Sequence, residues 1–216
     1  MNAGPTVERV HDALRQRIMR RDYRPGDRLD PAVLAAPLSS SVTPVRDALH
    51  LLTGEGLVET RTSGGFYIPA LDEPALKDRY DWSTQLLVLA IRAWPGMTTA
   101  IMPTVMEELP SIADRTGAIF LAIASRSANG EHRRAIDRLN ARLHAVRSIE
   151  THILDDIEAE LAAIASAAAH GERDRLRRLI LVYHRRHRPG SLSGRMTPSS
   201  NLPAKQYRYR IGIKFG

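Results

Sequence analysis

The spacing of apolar residues near the start of the chain predicts two helices. Apolar side chains recur every four positions at Val10, Leu14 and Ile18. This period places them on one helical face, so we expect a first helix over residues 6–21. Residues 23–29 have the composition of a turn. Asp30 can then cap a short second helix over residues 31–36, which Pro37 interrupts.

A third helix is predicted from residue 43 onwards. Its apolar face is formed at i, i+4 and i+7 by Val45, Leu49 and Leu52. Thr43 can cap this helix with its hydroxyl, and Pro44 suits the first helical position, where a missing N–H costs nothing. The start and the opposite face carry Val42, Thr43, Arg46, Asp47 and His50. This layout is typical of a recognition helix, whose first side chains enter the major groove of DNA, although a capped surface helix shows the same period.

The pattern changes from helical to extended after this third helix. Gly54 and Gly56 are expected to end the helix, and residues 57–61 have the composition of a strand. Residues 62–65 form a glycine-containing turn, and residues 66–68 form the return strand. Three helices followed by a hairpin predict a winged helix over residues 1–69, a fold commonly used to bind DNA.

The next part of the chain, residues 70–186, predicts an all-α domain without strands. Helical patterns cover residues 75–93, 97–109, 111–128, 130–146, 149–169 and 172–186. The inner face of the first of these is predicted at Leu76, Tyr80, Leu87 and Ile91. A short break is expected near Arg147. The predicted fold class is therefore mainly α, with one small β-hairpin wing and a C-terminal helical bundle.

Positive charge is concentrated in the tail, residues 187–216. The net charge is +7, and residues 185–216 contain basic side chains but no acidic ones. Apolar and polar residues alternate near the end, with the apolar positions at Tyr207, Tyr209, Ile211, Ile213 and Phe215. This period of two predicts a strand that pairs with the wing or with a partner subunit. A disordered basic tail that attracts phosphate is the alternative.

Composition narrows the functional classes. The chain contains no cysteine, which excludes disulfides and thiolate metal sites. Its longest apolar run, residues 86–91, is far shorter than the ~20 residues that span a bilayer, and the first residues do not form a signal peptide. We therefore expect a cytoplasmic, nucleoid-associated protein that does not contact membranes. The sequence contains no nucleophile elbow, phosphate loop, paired-carboxylate motif or metal cluster, so we do not expect an enzyme.

Several short motifs are spread over residues 7–69. They are Pro25-Gly26-Asp27-Arg28-Leu29, Leu34-Ala35, Thr43-Pro44-Val45-Arg46-Asp47-Ala48-Leu49, Leu52, Glu55-Gly56-Leu57-Val58 and Gly65-Phe66. Together they resemble the winged-helix domain of GntR-family bacterial transcription regulators. The resemblance implies that DNA is contacted at Arg28, Ser41, Val42, Thr43, Arg46 and the wing around Gly65.

Two positions depart from the pattern of that family. Val42 stands where the family commonly has arginine, and Ser39 stands where it commonly has glycine. A valine can contact a thymine methyl group but cannot form a bidentate contact with guanine. The departure at Val42 therefore bears on which operator sequence is bound rather than on DNA binding itself.

The helical domain resembles the effector-binding, dimerising domain of the FadR-like branch of the family. The residues that carry this resemblance are Phe120, Ser127-Ala128-Asn129, Glu160, Ile164 and Gly171-Glu172. In that branch, an aspartate and three histidines often bind a divalent metal that holds a carboxylate effector. The resemblance places these four ligands at Gly117, Leu121, Leu161 and Tyr183. These residues are not the required ligands, so we expect no metal and no cofactor.

The same positions define a candidate effector pocket. Its members would be Leu121, Leu161, Tyr183 and His184, of which His184 lies one residue from an expected ligand. These side chains form either an apolar pocket or a filled core. The remaining histidines of this domain are expected on helix surfaces or at breaks, at His132, His144, His152, His170 and His187.

Two functional hypotheses follow. The first is a dimeric repressor that binds a palindromic operator of double-stranded DNA and responds to a small carboxylate-like or apolar ligand without a bound metal. The second is an effector-independent or partner-dependent DNA-binding or architectural protein. A response of the purified protein to small molecules would distinguish them.

Overall fold

The computed structural model describes residues 4–96, 109–151 and 154–188. The described residues form two compact units, of which the first ends at Leu71 and the second begins at Asp72. The first unit contains α1 (Gly4–Met19), β1 (Arg28–Leu29), α2 (Pro31–Ala35), a 3₁₀ turn (Ala36–Leu38), α3 (Val42–Glu55), β2 (Glu59–Thr60) and β3 (Phe66–Tyr67). The predicted fold class, mainly helical with a small β wing, is confirmed.

The core of the first unit forms where α1 and α2 pack against α3. The predicted apolar face of α3 is completely buried at Val45, Leu49 and Leu52. Two of the three apolar positions of α1, Val10 and Leu14, are completely buried as well. Glu55 at the end of α3 accepts a 2.8 Å hydrogen bond from Nε2 of His11 on α1. Burial of this face fixes which side of α3 is left for solvent.

The limits of α3 differ from the prediction by one or two residues. The helix begins at Val42 and its cap position is Ser41, so Thr43 and Pro44 lie inside the first turn. Pro44 is tolerated there because the first four N–H groups of a helix have no partner within it. At the other end, Gly56 adopts a positive φ of 73° and ends the helix, whereas Gly54 remains helical.

The hairpin is present, but it belongs to a sheet of three strands. β2 and β3 pair antiparallel, and both are shorter than predicted. β1 pairs with the other edge of β3, with Arg28 opposite Tyr67 and Leu29 opposite Phe66. The sequence predicted only a turn here, because a strand of two residues is too short to show a period.

The second unit is a bundle of helices within its described residues. These are α4 (Glu73–Arg92), α5 (Ile112–Ser125), α6 (Gly130–Glu150), α7 (Ile157–Ala169) and α8 (Arg173–His187). The predicted inner face of α4 is fully buried at Leu76, Tyr80, Leu87 and Ile91. Trp94 is buried as well: its Nε1 donates to the carbonyl of Ile123, and Arg126 lies 3.7 Å above its ring. None of the described helices is long and apolar enough to cross a membrane.

The predicted break near Arg147 is wrong. α6 continues through this residue to Glu150, because Val146, Arg147, Ile149 and Glu150 are all buried on the inner side of the helix. α8 ends at His187, one residue into the predicted tail. The helix predicted over residues 97–109 and the terminal strand predicted after residue 206 lie almost entirely outside the described residues.

Candidate functional site

The start of α3 presents the predicted DNA-contacting residues to solvent. Ser41, Val42, Thr43 and Arg46 are all exposed, and 38% of the Val42 surface is accessible. Their positions follow from the buried opposite face of the helix. Arg46 forms no ion pair within residues 4–96, 109–151 and 154–188, so its guanidinium is available to an external anion.

Arg28 and Gly65 lie far apart in the sequence but meet on the wing. A Cβ added to Gly65 would lie 3.5 Å from Nε of Arg28 and 3.3 Å from Cε2 of Tyr67. Gly65 also has a positive φ of 88°, which disfavours other residue types. The positive φ and the close Tyr67 ring therefore favour glycine here, and the β1–β3 pairing brings the two predicted residues together.

The structure adds Arg61 and Tyr67 to this surface. The guanidinium of Arg61 lies 4.0 Å from the centre of the Tyr67 ring, and its Nε donates to Glu59 over 3.1 Å. In the sequence, the only indication of this contact was that Arg61 and Tyr67 lie on either side of a glycine-containing turn. The His50 ring of α3 packs edge-on against Phe66 of β3 at 4.9 Å, which ties α3 to the wing.

This surface has the chemistry that double-stranded DNA requires. Exposed arginines can bind phosphate oxygens or guanine edges, and the exposed start of a helix fits the major groove. The contacts with particular bases at Arg28, Ser41, Val42, Thr43, Arg46 and Gly65 stay predictions.

The candidate effector residues of the second unit are largely interior. Tyr183 and His184 are buried and lie 5.3 and 5.4 Å from the Phe120 ring. Leu161 of α7 is also buried, whereas Leu121 of α5 is half-buried. Whether these residues surround a ligand stays a prediction.

His184 is held in its neutral form. Its Nδ1 donates to the Ile180 carbonyl over 2.8 Å, and its Nε2 accepts from the Ser83 hydroxyl over 2.9 Å. Burial, with the nearby charges of Arg147 and His187, lowers the pKa of His184 to about 3. Both ring nitrogens are therefore already engaged.

Sequence reasoning missed a buried acid–base cluster around Glu150. The Tyr80 hydroxyl donates to Oε1 of Glu150, and Nδ1 of His187 lies 2.9 Å from Oε2 of the same carboxylate. Nε2 of His187 lies 3.2 Å from Glu160, which also pairs with Arg186 at 2.7 Å. His187 is therefore fully buried, and its predicted place on a helix surface is wrong. Its contacts come from α6 and α7, so no local pattern could reveal them.

His187 favours the charged form despite its burial. Desolvation lowers the pKa of His187, but the carboxylates of Glu150 and Glu160 outweigh it and the net shift is upward. Both ring nitrogens face carboxylate oxygens, an arrangement in which both must donate. Burial, followed by the Glu150 charge, raises the pKa of Tyr80 well above its usual value.

Arg147 is the most unusual buried residue of this unit. Only 1% of its surface is exposed, and its Nη1 donates to Oδ1 of Asn140 over 2.9 Å. Asn140 in turn donates to the Gly117 carbonyl over 2.8 Å. The guanidinium lies 5.1 Å from the centre of the Phe120 ring. Its Nε and Nη2 have no hydrogen-bond partner within the described part of the chain.

These residues do not fit the metal that the FadR-like resemblance implies. Gly117, Leu121 and Leu161 have no donor atom in their side chains, and burial raises the pKa of the Tyr183 hydroxyl far above neutral pH. The described residues contain no group of three or more His, Cys, Asp or Glu side chains arranged to hold a metal ion.

Comparisons with known proteins concern both units. Residues 6–68 match the family model described as bacterial regulatory proteins, gntR family. Over 97 residues the chain is 34% identical to the Nta operon transcriptional regulator of Aminobacter aminovorans, covering 45% of this chain and 46% of that protein. Over 140 residues it is 26% identical to the uncharacterized HTH-type transcriptional regulator YdhC of Bacillus subtilis, covering 65% and 58%. The chain thus spans about half the length of the curated relatives it matches.

Solved structures share the two-unit fold. A GntR transcriptional regulator from Rhodococcus sp. RHA1 superposes with a TM-score of 0.69 at 17% identity, over 88% of this chain and 99% of that chain. McbR/YncC of E. coli superposes with a TM-score of 0.64 at 18% identity, over 88% and 97%. The matched family and the named relatives are regulatory proteins rather than enzymes.

Proposed function

We propose, on the premise that residues 6–68 are a DNA-binding domain of the GntR family, that this chain is a transcriptional regulator that acts on DNA in the cytoplasm. More specifically, we propose that it is a dimeric repressor of the FadR-like branch that binds a palindromic operator. The observation that carries it is the exposed start of α3, where Arg46 is free of ion pairs within the described residues. Two such helices related by a two-fold axis would enter successive major grooves, about 34 Å apart.

Replacing Arg46 tests the DNA-binding part of the proposal. An operator is first selected from a random DNA pool with the wild-type protein. Arg46→Ala should then lose about 1–3 kcal/mol of specific binding free energy at fixed salt, because a base or phosphate contact is removed. The matched control is Arg134→Ala, which removes an exposed arginine of the helical unit and the same charge.

The two variants separate a recognition contact from a general loss of charge. Fluorescence anisotropy with operator and scrambled duplexes should show a loss for Arg46→Ala and wild-type affinity for Arg134→Ala. Equal affinities of wild type and Arg46→Ala would contradict the assignment of α3 as the recognition helix.

A dimer is supported by an exposed apolar face on α4. Trp82 and Leu89 are 48% and 43% exposed, and their spacing of seven residues places them on the same side of the helix. Large exposed apolar side chains in register are typical of a surface that a protein partner covers. We propose that a second copy of this chain packs on this face.

Control by a small ligand without a bound metal is the remaining part of the proposal. It is supported by Gly117 and Leu161, which cannot coordinate a metal at two of the four positions that the resemblance indicates. Elemental analysis of the purified protein should find no stoichiometric divalent metal. One tightly bound divalent ion per chain would contradict this part alone.

An effector-independent regulator is the second candidate. It is supported by the burial of Leu161, Tyr183 and His184, because buried side chains at these positions also suit an ordinary helical core. Specific operator binding that no small molecule alters would support this candidate.

A further inference from the structure

We infer that the guanidinium of Arg147 anchors a carboxylate ligand inside the helical unit. This inference rests on the proposed function, since it names the chemistry of the ligand that would control DNA binding. It begins from Nε and Nη2 of Arg147, which have no hydrogen-bond partner among the residues that the structure describes.

These two nitrogens form one edge of the guanidinium. Their N–H groups point in parallel, and this edge is one of those that bind both oxygens of a carboxylate at once. The remaining Nη1 is held by Asn140, which fixes the orientation of the plane. A single planar anion with two oxygens would satisfy the free edge.

The neighbouring carboxylates are already occupied. Glu150 receives Tyr80 on one oxygen and His187 on the other. Glu160 pairs with His187 and Arg186. Both carboxylates are thus engaged by Tyr80, His187 and Arg186, and within the described residues neither is hydrogen-bonded to the free edge of Arg147.

Burial makes the unpaired edge of Arg147 significant. Arginine stays protonated in proteins, so an interior guanidinium cannot avoid its charge by losing a proton. An unpaired interior charge is strongly unfavourable unless something compensates it. Phe120 offers only the face of its ring, which leaves the edge formed by Nε and Nη2 unsatisfied.

The location matches the part of the unit where the resemblance places a metal. Asn140 joins Arg147 to Gly117, and Phe120 joins it to Tyr183. These are two of the four expected ligand positions. Here the guanidinium would hold the carboxylate directly, and the rings of Phe120 and Tyr183 favour a ligand with an aromatic or apolar body.

Benzoate is a suitable probe, and uncharged benzamide is its control. Both are added to the full chain at equal ionic strength, and thermal unfolding and calorimetric titration are recorded. Benzoate should raise the melting temperature of wild type, and benzamide should not. Arg147→Met should weaken benzoate binding at least about tenfold, since it loses a charge-assisted bidentate contact. Arg134→Met should bind benzoate like wild type.

A second expectation concerns the protein without ligand. Arg147→Met should melt at the same temperature as wild type or higher, because methionine removes an unpaired buried charge. A purely structural role of Arg147 within the protein predicts the opposite, a marked decrease. If Arg147→Met fails to fold, Arg147→Lys keeps the charge without the paired edge and should still weaken benzoate binding.

The inference is overturned if the wild-type protein does not bind benzoate. It is also overturned if Arg147→Met and Arg147→Lys bind benzoate with wild-type affinity. None of these measurements uses DNA. Loss of benzoate binding with intact operator binding would therefore reject the anchor alone, whereas benzoate binding without operator binding would reject the proposed function.

Discussion

Ser39 shows how one residue can carry local strain in the turn of the helix-turn-helix. It adopts a φ of 48° in the left-handed region, at the position where the resemblance expects glycine. Ser39→Gly should stabilise the first unit by about 0.5–1 kcal/mol, because relief of the left-handed strain exceeds the extra entropy of an unfolded glycine. Urea unfolding measures the change.

The neighbouring serine provides the matched control for this substitution. Ser40 does not have a positive φ, so Ser40→Gly should destabilise the unit or leave it unchanged. If both glycine variants lower stability alike, Ser39 is not strained.

Two histidines of α8 give the helical unit opposite responses to pH. The raised pKa of His187 means that its stabilising contribution is complete below the unfolded value of about 6.5 and is lost as pH rises through the folded pKa. The lowered pKa of His184 means that its contribution is lost as pH falls from about 6.5 towards 3. Both shifts act on the stability of the helical unit. That stability should therefore be greatest between the pH range in which the His184 contribution is lost and the range in which the His187 contribution is lost.

His187→Gln tests the alkaline side of this profile. Glutamine cannot carry the charge, so the variant should be less stable than wild type at pH 6 and should lack the decline between pH 6 and the raised pKa. Urea unfolding followed by far-UV circular dichroism at several pH values measures this. An unchanged slope in the variant would mean that another group causes the decline.

At the scale of elements, the wing is expected to contribute phosphate contacts rather than base recognition. Arg28 lies on β1 beside Gly65 of the wing turn, and it forms no ion pair in the part of the chain that the structure describes. Arg28→Ala should weaken binding to operator and scrambled DNA alike and reduce the salt slope by about one. Anisotropy titrations at several salt concentrations measure both effects, and a loss confined to the operator would assign Arg28 to base recognition instead.

Elements with a local signal could be predicted, and those defined by distant contacts could not. The inner face of α4 and the apolar face of α3 repeat within a few turns, which is enough to specify a helix. β1 exists only because it pairs with β3. The helix through Arg147 was missed because a charged residue usually marks a helix surface, and only the packed bundle shows that this one is buried.

The candidate site divides in the same way. Ser41, Thr43 and Arg46 lie in one stretch, so a pattern could indicate them together. Arg61 and Tyr67 become neighbours only when the hairpin forms. The contacts of His187 depend on α6 and α7, and its sequence position near the end of a basic helix resembles that of a solvated residue.

At the scale of the whole molecule, the exposed face of α4 predicts the oligomeric state. Trp82→Glu should convert the proposed dimer to a monomer, because the proposed interface would have to bury an unpaired charge. The control is Val33→Glu in α2, where the valine is 70% exposed and lies outside this face. Sedimentation velocity measures the outcome. A wild-type monomer, or a Trp82→Glu dimer as stable as wild type, would contradict the proposed interface.

The chain contains two tryptophans, Trp82 and Trp94, and both lie in the second unit. The surface of the first unit that is expected to touch DNA contains neither of them. Direct contact of operator DNA with this surface therefore cannot quench tryptophan emission. A change in tryptophan emission when operator is added would therefore report on the second unit, where both tryptophans lie. The buried Trp94 under Arg126 and the half-exposed Trp82 would differ in emission wavelength. Unlabelled protein thus carries an optical reporter of its second unit.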